Sequence, residues 1–172
     1  MATIDLPNNI LEALSTVLQQ LQQSLPEVKQ APDFSAIAFK WENGELKAIH
    51  QLKRIELNDL KGIERQKEKV LQNTEQFLNG LPANDVLLTG SRGTGKSSIV
   101  RALLTEYAEQ GLRLIEIERD DLSELPEIQK LIAERPEKFI VYCDDLAFNA
   151  EDENYRSLKS VLDGSLQSGS SN

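Results

Sequence analysis

The sequence predicts an α/β fold in which helices cover both faces of a parallel sheet, a three-layer α/β/α arrangement. Three observations point there. Apolar runs at Asp85–Thr89, Leu112–Glu118 and Phe139–Cys143 alternate with helix-spaced segments, and that alternation implies parallel strands joined by right-handed crossovers. Between the first run and the next helix lies Gly90-Ser-Arg-Gly-Thr-Gly-Lys-Ser97, which fits the phosphate-loop pattern GxxxxGK(S/T) at every fixed position. The last run ends in Asp144-Asp145, and ligands of open α/β sheets collect at the carboxyl ends of the strands.

Taken in order, the elements start with Asn8 to Leu25. Apolar Ile10, Leu11, Leu14, Val17, Leu18, Leu21 and Leu25 form a helix-spaced stripe, and the opposite face is rich in Gln. Such a helix either packs on its own domain or docks on a partner or a second copy of the chain. Pro26 to Pro32 reads as a linker. A hairpin follows, Ala36–Trp41 and Glu45–Ile49 around Asn43-Gly44, because both positions of that turn need a positive φ. Trp41 and Phe39 are expected to be packing residues. Glu64 to Leu78 reads as a helix with apolar Val70, Leu71, Phe77 and Leu78, ended by Gly80-Leu-Pro82. Asp85–Thr89 is expected to be a short buried strand entering the loop, and Ser98–Tyr107 an amphipathic helix leaving it. Helices are further expected around Glu127–Glu134 and from about Glu153 to Leu162. The organisation is thus an N-terminal helix and hairpin (1–57), a phosphate-loop domain (58–164) and a flexible tail (165–172).

The loop chemistry dictates its residue types. Gly90, Gly93 and Gly95 let the backbone turn and approach phosphate oxygens without a Cβ in the way. The N–H groups from Gly90 through Ser91, Arg92, Gly93, Thr94, Gly95 and Lys96 to Ser97 and Ser98 then make an anion nest at the start of a helix. Lys96 can reach the β- and γ-phosphates, and the Ser97 hydroxyl can ligate Mg²⁺. Asp144 takes the Walker-B role, holding Mg²⁺ through its water shell. Asp145 stands where many ATPases have a Glu that orients and deprotonates the attacking water, and it is one methylene shorter. A base must come within about 2.6–3.2 Å of its target or act through one more water, so Asp145 is a base, a poor base or a metal-shell residue. Asp120-Asp121 is expected to cap a turn, Cys143 to be a buried small hydrophobe, and Arg92 to contact phosphate or solvent. Arg156 and Lys159 could face a neighbouring subunit.

Composition bounds the remaining classes. The 172 residues, 40% of them hydrophobic, can bury one core but hardly two. A net charge of −9 disfavours sequence-independent nucleic-acid binding. One cysteine and one histidine exclude an internal disulfide and the usual zinc sites. With no leader pattern or membrane-length apolar run, the expected compartment is the cytoplasm, with no membrane partner.

Leu60-Lys-Gly-Ile63, Asn73-Thr-Glu-Gln-Phe-Leu78 and Gly80-Leu-Pro-Ala-Asn84 precede the loop, and Gly111-Leu-Arg-Leu-Ile115, Tyr142-Cys-Asp-Asp-Leu146 and Leu158-Lys-Ser-Val-Leu-Asp-Gly164 follow it. Together these stretches resemble the AAA+-type P-loop ATPases catalogued as domain of unknown function 815, from about Phe39 to Leu166. The resemblance implies an AAA+ fold, ATP with Mg²⁺, ring-like or dimeric assembly, and Gly62-Ile63 near the adenine. It discloses no biological substrate. In AAA+ ATPases the strand after the position of Gly164 carries a polar sensor residue and inserts between the phosphate-loop and Walker-B strands. Here Ser-Leu-Gln-Ser-Gly-Ser-Ser-Asn follows Gly164, with no strand signal. Neighbouring strands lie about 4.8 Å apart, so omitting that strand leaves a gap of nearly 10 Å between the functional strands. The chain is therefore expected to be a fragment, truncated after the Walker-B region. The function expected of its parent is an ATPase module that drives conformational change in a protein partner. A small P-loop kinase and a non-hydrolysing nucleotide-binding adaptor are the alternatives. The chain alone is expected to bind nucleotide weakly and to turn over little.

Overall fold

The computed structural model describes Ile10, residues 14–17 and residues 31–146. The chain divides into two compact units, Met1–Ala31 and Pro32–Asn172. In the first unit Ile10 and residues 14–17 are helical, as the stripe predicts, and Ile10, Leu14 and Val17 are exposed. The rest of the 8–25 stripe lies outside the described residues. So do the helix expected at 153–162, with Arg156 and Lys159, and the tail at 165–172.

The second unit opens with a hairpin of β1 (Ala38–Glu42) and β2 (Glu45–Ala48). Its turn holds Asn43 at φ 55° and Gly44 at φ 71°, the pair of left-handed positions that Asn-Gly supplies. A 3-10 turn (Leu57–Asp59) and α1 (Glu64–Leu78) follow, then α2 (Lys96–Tyr107) and β3 (Leu112–Ile117). A 3-10 turn (Arg119–Glu124) leads into α3 (Leu125–Ile132) and β4 (Lys138–Cys143). Helix α3 starts two residues before its expected position, with Pro126 in its first turn. The missing N–H of proline costs nothing there.

Among the described residues the sheet has the order β2-β1-β3-β4. Strands β1 and β2 are antiparallel, while β3 runs parallel to both β1 and β4. The register sets Phe39 beside Ile115, and Ile115 beside Val141. The boundary drawn at residue 57 therefore cuts through one continuous sheet. Strand β3 is covered on both faces. Leu112 and Leu114 join Val70 of α1 and Ile99, Val100, Leu103 and Leu104 of α2. Ile115 and Ile117 join Phe39, Trp41 and the α3 residues Leu125, Ile128 and Ile132. Burial of each such side chain contributes about 1.5–3 kcal/mol, so the three layers follow from β3 having two apolar faces. Phe39 and Trp41 are fully buried, as expected of packing residues. On the first face the Tyr107 hydroxyl donates to Glu75 Oε1 at 2.8 Å, tying α2 to α1. Burial, and then the Glu75 carboxylate, push that phenol up to about 12.

One expected element is corrected. Asp85–Thr89 is not a buried strand: it pairs with no described strand, and Val86 and Leu87 are 49% and 74% exposed. Only Leu88 packs on the core. A strand needs a ladder to satisfy its backbone groups, and none of the four described strands pairs with this segment. The segment is anchored instead at its start. The Asn73 side chain of α1 donates from Nδ2 to the Asn84 carbonyl at 2.8 Å and accepts the Asn84 N–H at 2.8 Å. One amide thereby satisfies both backbone groups of the residue that leads into the segment.

Candidate nucleotide and metal site

The loop of residues 90–95 runs directly into α2, with Gly95 as its cap at φ 87°. A Cβ on Gly95 would be strained by that φ and would sit 3.6 Å from Ile63 Cδ1. Ile63 thus lies against the loop. Gly62, at φ 76°, donates its N–H to Glu64 Oε1 at 3.1 Å. Within the loop, Thr94 Oγ1 donates to the Ser91 carbonyl at 2.8 Å. The Lys96 ammonium crosses the loop and donates to the carbonyls of Gly90 (2.9 Å) and Ser91 (3.0 Å). An ammonium has three donors, so one remains for an anion even in this arrangement. Ser91, Arg92 and Gly93 are exposed, and Ser98 is half-buried.

Ser97, in the first turn of α2, meets the end of β4. Its Oγ donates to Asp144 Oδ2 at 2.9 Å, across 47 positions of sequence. Asp144 Oδ1 accepts the N–H of Asp145 at 3.0 Å. The Tyr142 hydroxyl lies 2.9 Å from Ser97 Oγ. Burial pushes the Asp144 carboxyl up, but the hydrogen bonds from Ser97 and the Asp145 N–H, the nearby Tyr142 phenol and the Lys96 charge outweigh it. The carboxyl is held below its ordinary value of 3.8. The stability this contributes is complete above the ordinary carboxylate range and is lost only as pH falls through the lowered value. Asp144 is therefore ionised at neutral pH. Asp145 is exposed and takes φ 52°, a region that Asp tolerates better than most residues. Among the described residues its carboxylate accepts no hydrogen bond from another group.

Cys143 differs from expectation in being half-buried rather than fully buried. Burial, with the Asp144 charge beside it, pushes its thiol up to about 11, so it is a neutral thiol at pH 7 and a poor nucleophile. Asp120 and Asp121 lie in the 3-10 turn after β3, where Arg119 reaches Asp120 at 3.3 Å. Two contributors were not singled out from sequence, Asn73 and Tyr142. Tyr142 is the last residue but one of β4 and stands two residues before Asp144, which follows the strand. Among the described residues no group of three His, Cys, Asp or Glu side chains could hold a metal. A cation here would rely on Ser97, Asp144, water and substrate oxygens, a donor set that suits Mg²⁺.

A model of the family described as Protein of unknown function (DUF815) matches residues 34–172. The chain belongs to that family. The match takes in the hairpin, the loop and β4 together. Over 52 residues, 30% of its length, the chain is also 36% identical to the replication factor C large subunit of Methanococcus maripaludis. It spans 11% of that protein. No solved structure matches the chain. The fold is α/β and of the phosphate-loop type, with a mostly parallel sheet flanked by helices. No helix among the described residues is long and apolar enough to cross a membrane.

Proposed function

We propose that this chain is the ATP-binding part of an AAA+-type ATPase, in which the loop of residues 90–98 holds the triphosphate and Ser97 with Asp144 holds Mg²⁺. The observation that carries this reading is the 2.9 Å contact between Ser97 Oγ and Asp144 Oδ2. It joins the start of the loop helix to the end of the carboxylate strand, so two motifs recognised separately in sequence become one site. The partial likeness to a replication factor subunit supports the AAA+ type. The residues fit the cation: a neutral hydroxyl and an ionised carboxylate form an oxygen set at the mouth of a loop whose N–H groups favour anions. Bound there, Mg²⁺ would neutralise charge on the β- and γ-phosphates. Lys96 leaves the Gly90 and Ser91 carbonyls for the phosphate oxygens. Gly95 and Ile63 shape the side of the site toward the base. Asp145, whose carboxylate accepts no hydrogen bond among the described residues and which follows the metal ligand, orients the attacking water and takes its proton.

In the same proposal, binding and hydrolysis drive conformational change in a partner protein or a second copy of the chain. The exposed Ile10, Leu14 and Val17 support such an interaction. The kinase reading needs the loop strand and the carboxylate strand side by side, and the unpaired Asp85–Thr89 gives that arrangement no support. A non-hydrolysing adaptor is separated by measuring phosphate release. The metal assignment has its own test. Asp144→Asn keeps the shape and removes the charge, so the gain in ATP affinity on adding Mg²⁺ should fall toward nothing, as read by calorimetry with Mg²⁺ and with EDTA. An undiminished gain would remove Asp144 from the metal's surroundings.

A further inference from the structure

We propose that Tyr142 is a positioning residue, whose phenol fixes the Ser97 hydroxyl so that one lone pair of Ser97 stays turned to a divalent cation. The inference rests on the nucleotide reading above and adds a residue that no part of that reading uses.

The hydrogen-bond directions follow from chemistry alone. An ionised carboxylate only accepts, so in the 2.9 Å contact with Asp144 Oδ2 the Ser97 hydroxyl is the donor. Serine has one hydroxyl proton and two lone pairs. With the proton committed to Asp144, the 2.9 Å contact between Ser97 and Tyr142 must be donated by the phenol. The phenol occupies one lone pair and leaves the other for a metal. Without it, the Ser97 Oγ would have two open lone pairs and a rotor held at a single point.

The fold gives Tyr142 this geometry by parity. Phe139, Val141 and Cys143 of β4 pack toward the α3 side, whereas Ile140 and Tyr142 pack toward α2. The Tyr142 ring is thereby held in the core of that layer, and its hydroxyl reaches the first turn of α2. In the chain from Tyr142 through Ser97 to Asp144, Tyr142 lies on β4 and Asp144 follows its last residue. Helix α2 is registered on that strand by the hydroxyl between them.

The test is a double-mutant cycle on the whole chain, reading affinity for ATP by calorimetry with Mg²⁺ and with EDTA. Tyr142→Phe keeps the ring and removes one hydrogen bond. It should weaken Mg·ATP binding about three- to tenfold and leave ATP binding in EDTA within about twofold. In a Ser97→Ala background, Tyr142→Phe should cause a markedly smaller further loss, because the hydroxyl it positions has gone. Equal losses with Mg²⁺ and EDTA, or losses that add to those of Ser97→Ala, would assign Tyr142 to packing and overturn the positioning role while the nucleotide site stands. A parent chain whose ATP affinity ignores Mg²⁺ would overturn the site itself and this inference with it.

Discussion

Asp145→Asn is expected to slow ATP hydrolysis about a hundredfold while Mg·ATP binding stays within about twofold. The substitution replaces a base by a group of the same shape that cannot take a proton. General bases typically contribute 10²–10⁴ in rate, and Asp, a methylene shorter than the usual Glu, belongs at the lower end. The backbone should not move. Asp145 sits at φ 52°, which asparagine tolerates well, as Asn43 does at φ 55° in the same chain. No described residue donates to the Asp145 carboxylate, so no structural hydrogen bond is lost. The rate should be read in single turnover, with protein in excess over radiolabelled ATP, since multiple turnover is expected to be slow. Abolished binding with normal hydrolysis per bound ATP would make Asp145 a binding residue and not the base.

Lys96→Ala should weaken Mg·ATP binding roughly ten- to a hundredfold. Charge-assisted contacts to phosphate are worth about 1.5–3 kcal/mol. Among the described residues the ammonium bonds only to the carbonyls of Gly90 and Ser91 in an exposed loop, and water can replace it there. The substitution therefore costs the fold little, and the loss falls on the ligand. An unchanged dissociation constant in a variant shown by circular dichroism to be folded would remove the phosphate-loop assignment.

The parts of the fold legible in sequence are those fixed by local chemistry or by burial on both faces. Asn43-Gly44 dictated its hairpin because few other pairs tolerate two positive φ values. Strands β3 and β4 were legible as short apolar runs, and α1 was bounded by Gly80-Leu-Pro82 at its end. Asp85–Thr89 misled because an apolar run records a preference for burial and not the presence of a partner strand. The pairing of β1 with β3 was also hidden. It joins Phe39 to Ile115, and no turn chemistry encodes a register over such a distance. In the candidate site, the meeting of Ser97 with Asp144 was legible because loop spacing and the strand end confine them. Tyr142 was not, since a tyrosine in an apolar strand reads as core until its hydroxyl is seen to meet Ser97. Asn73 likewise reads as a solvated helix residue until its amide is found on both backbone groups of Asn84.

The claim that α2 and β4 together build one Mg²⁺-nucleotide site is tested most directly by thermal unfolding of the unmodified chain with increasing ATP, in Mg²⁺ and in EDTA. Ligand that binds the folded state at a hundred times its dissociation constant stabilises it by about 2.7 kcal/mol, a rise of several degrees in Tm for a protein of this size. The predicted result is a saturable rise with Mg·ATP that is markedly smaller with ATP in EDTA. An unfolding temperature that ignores Mg·ATP, or that rises equally in EDTA, would contradict the account.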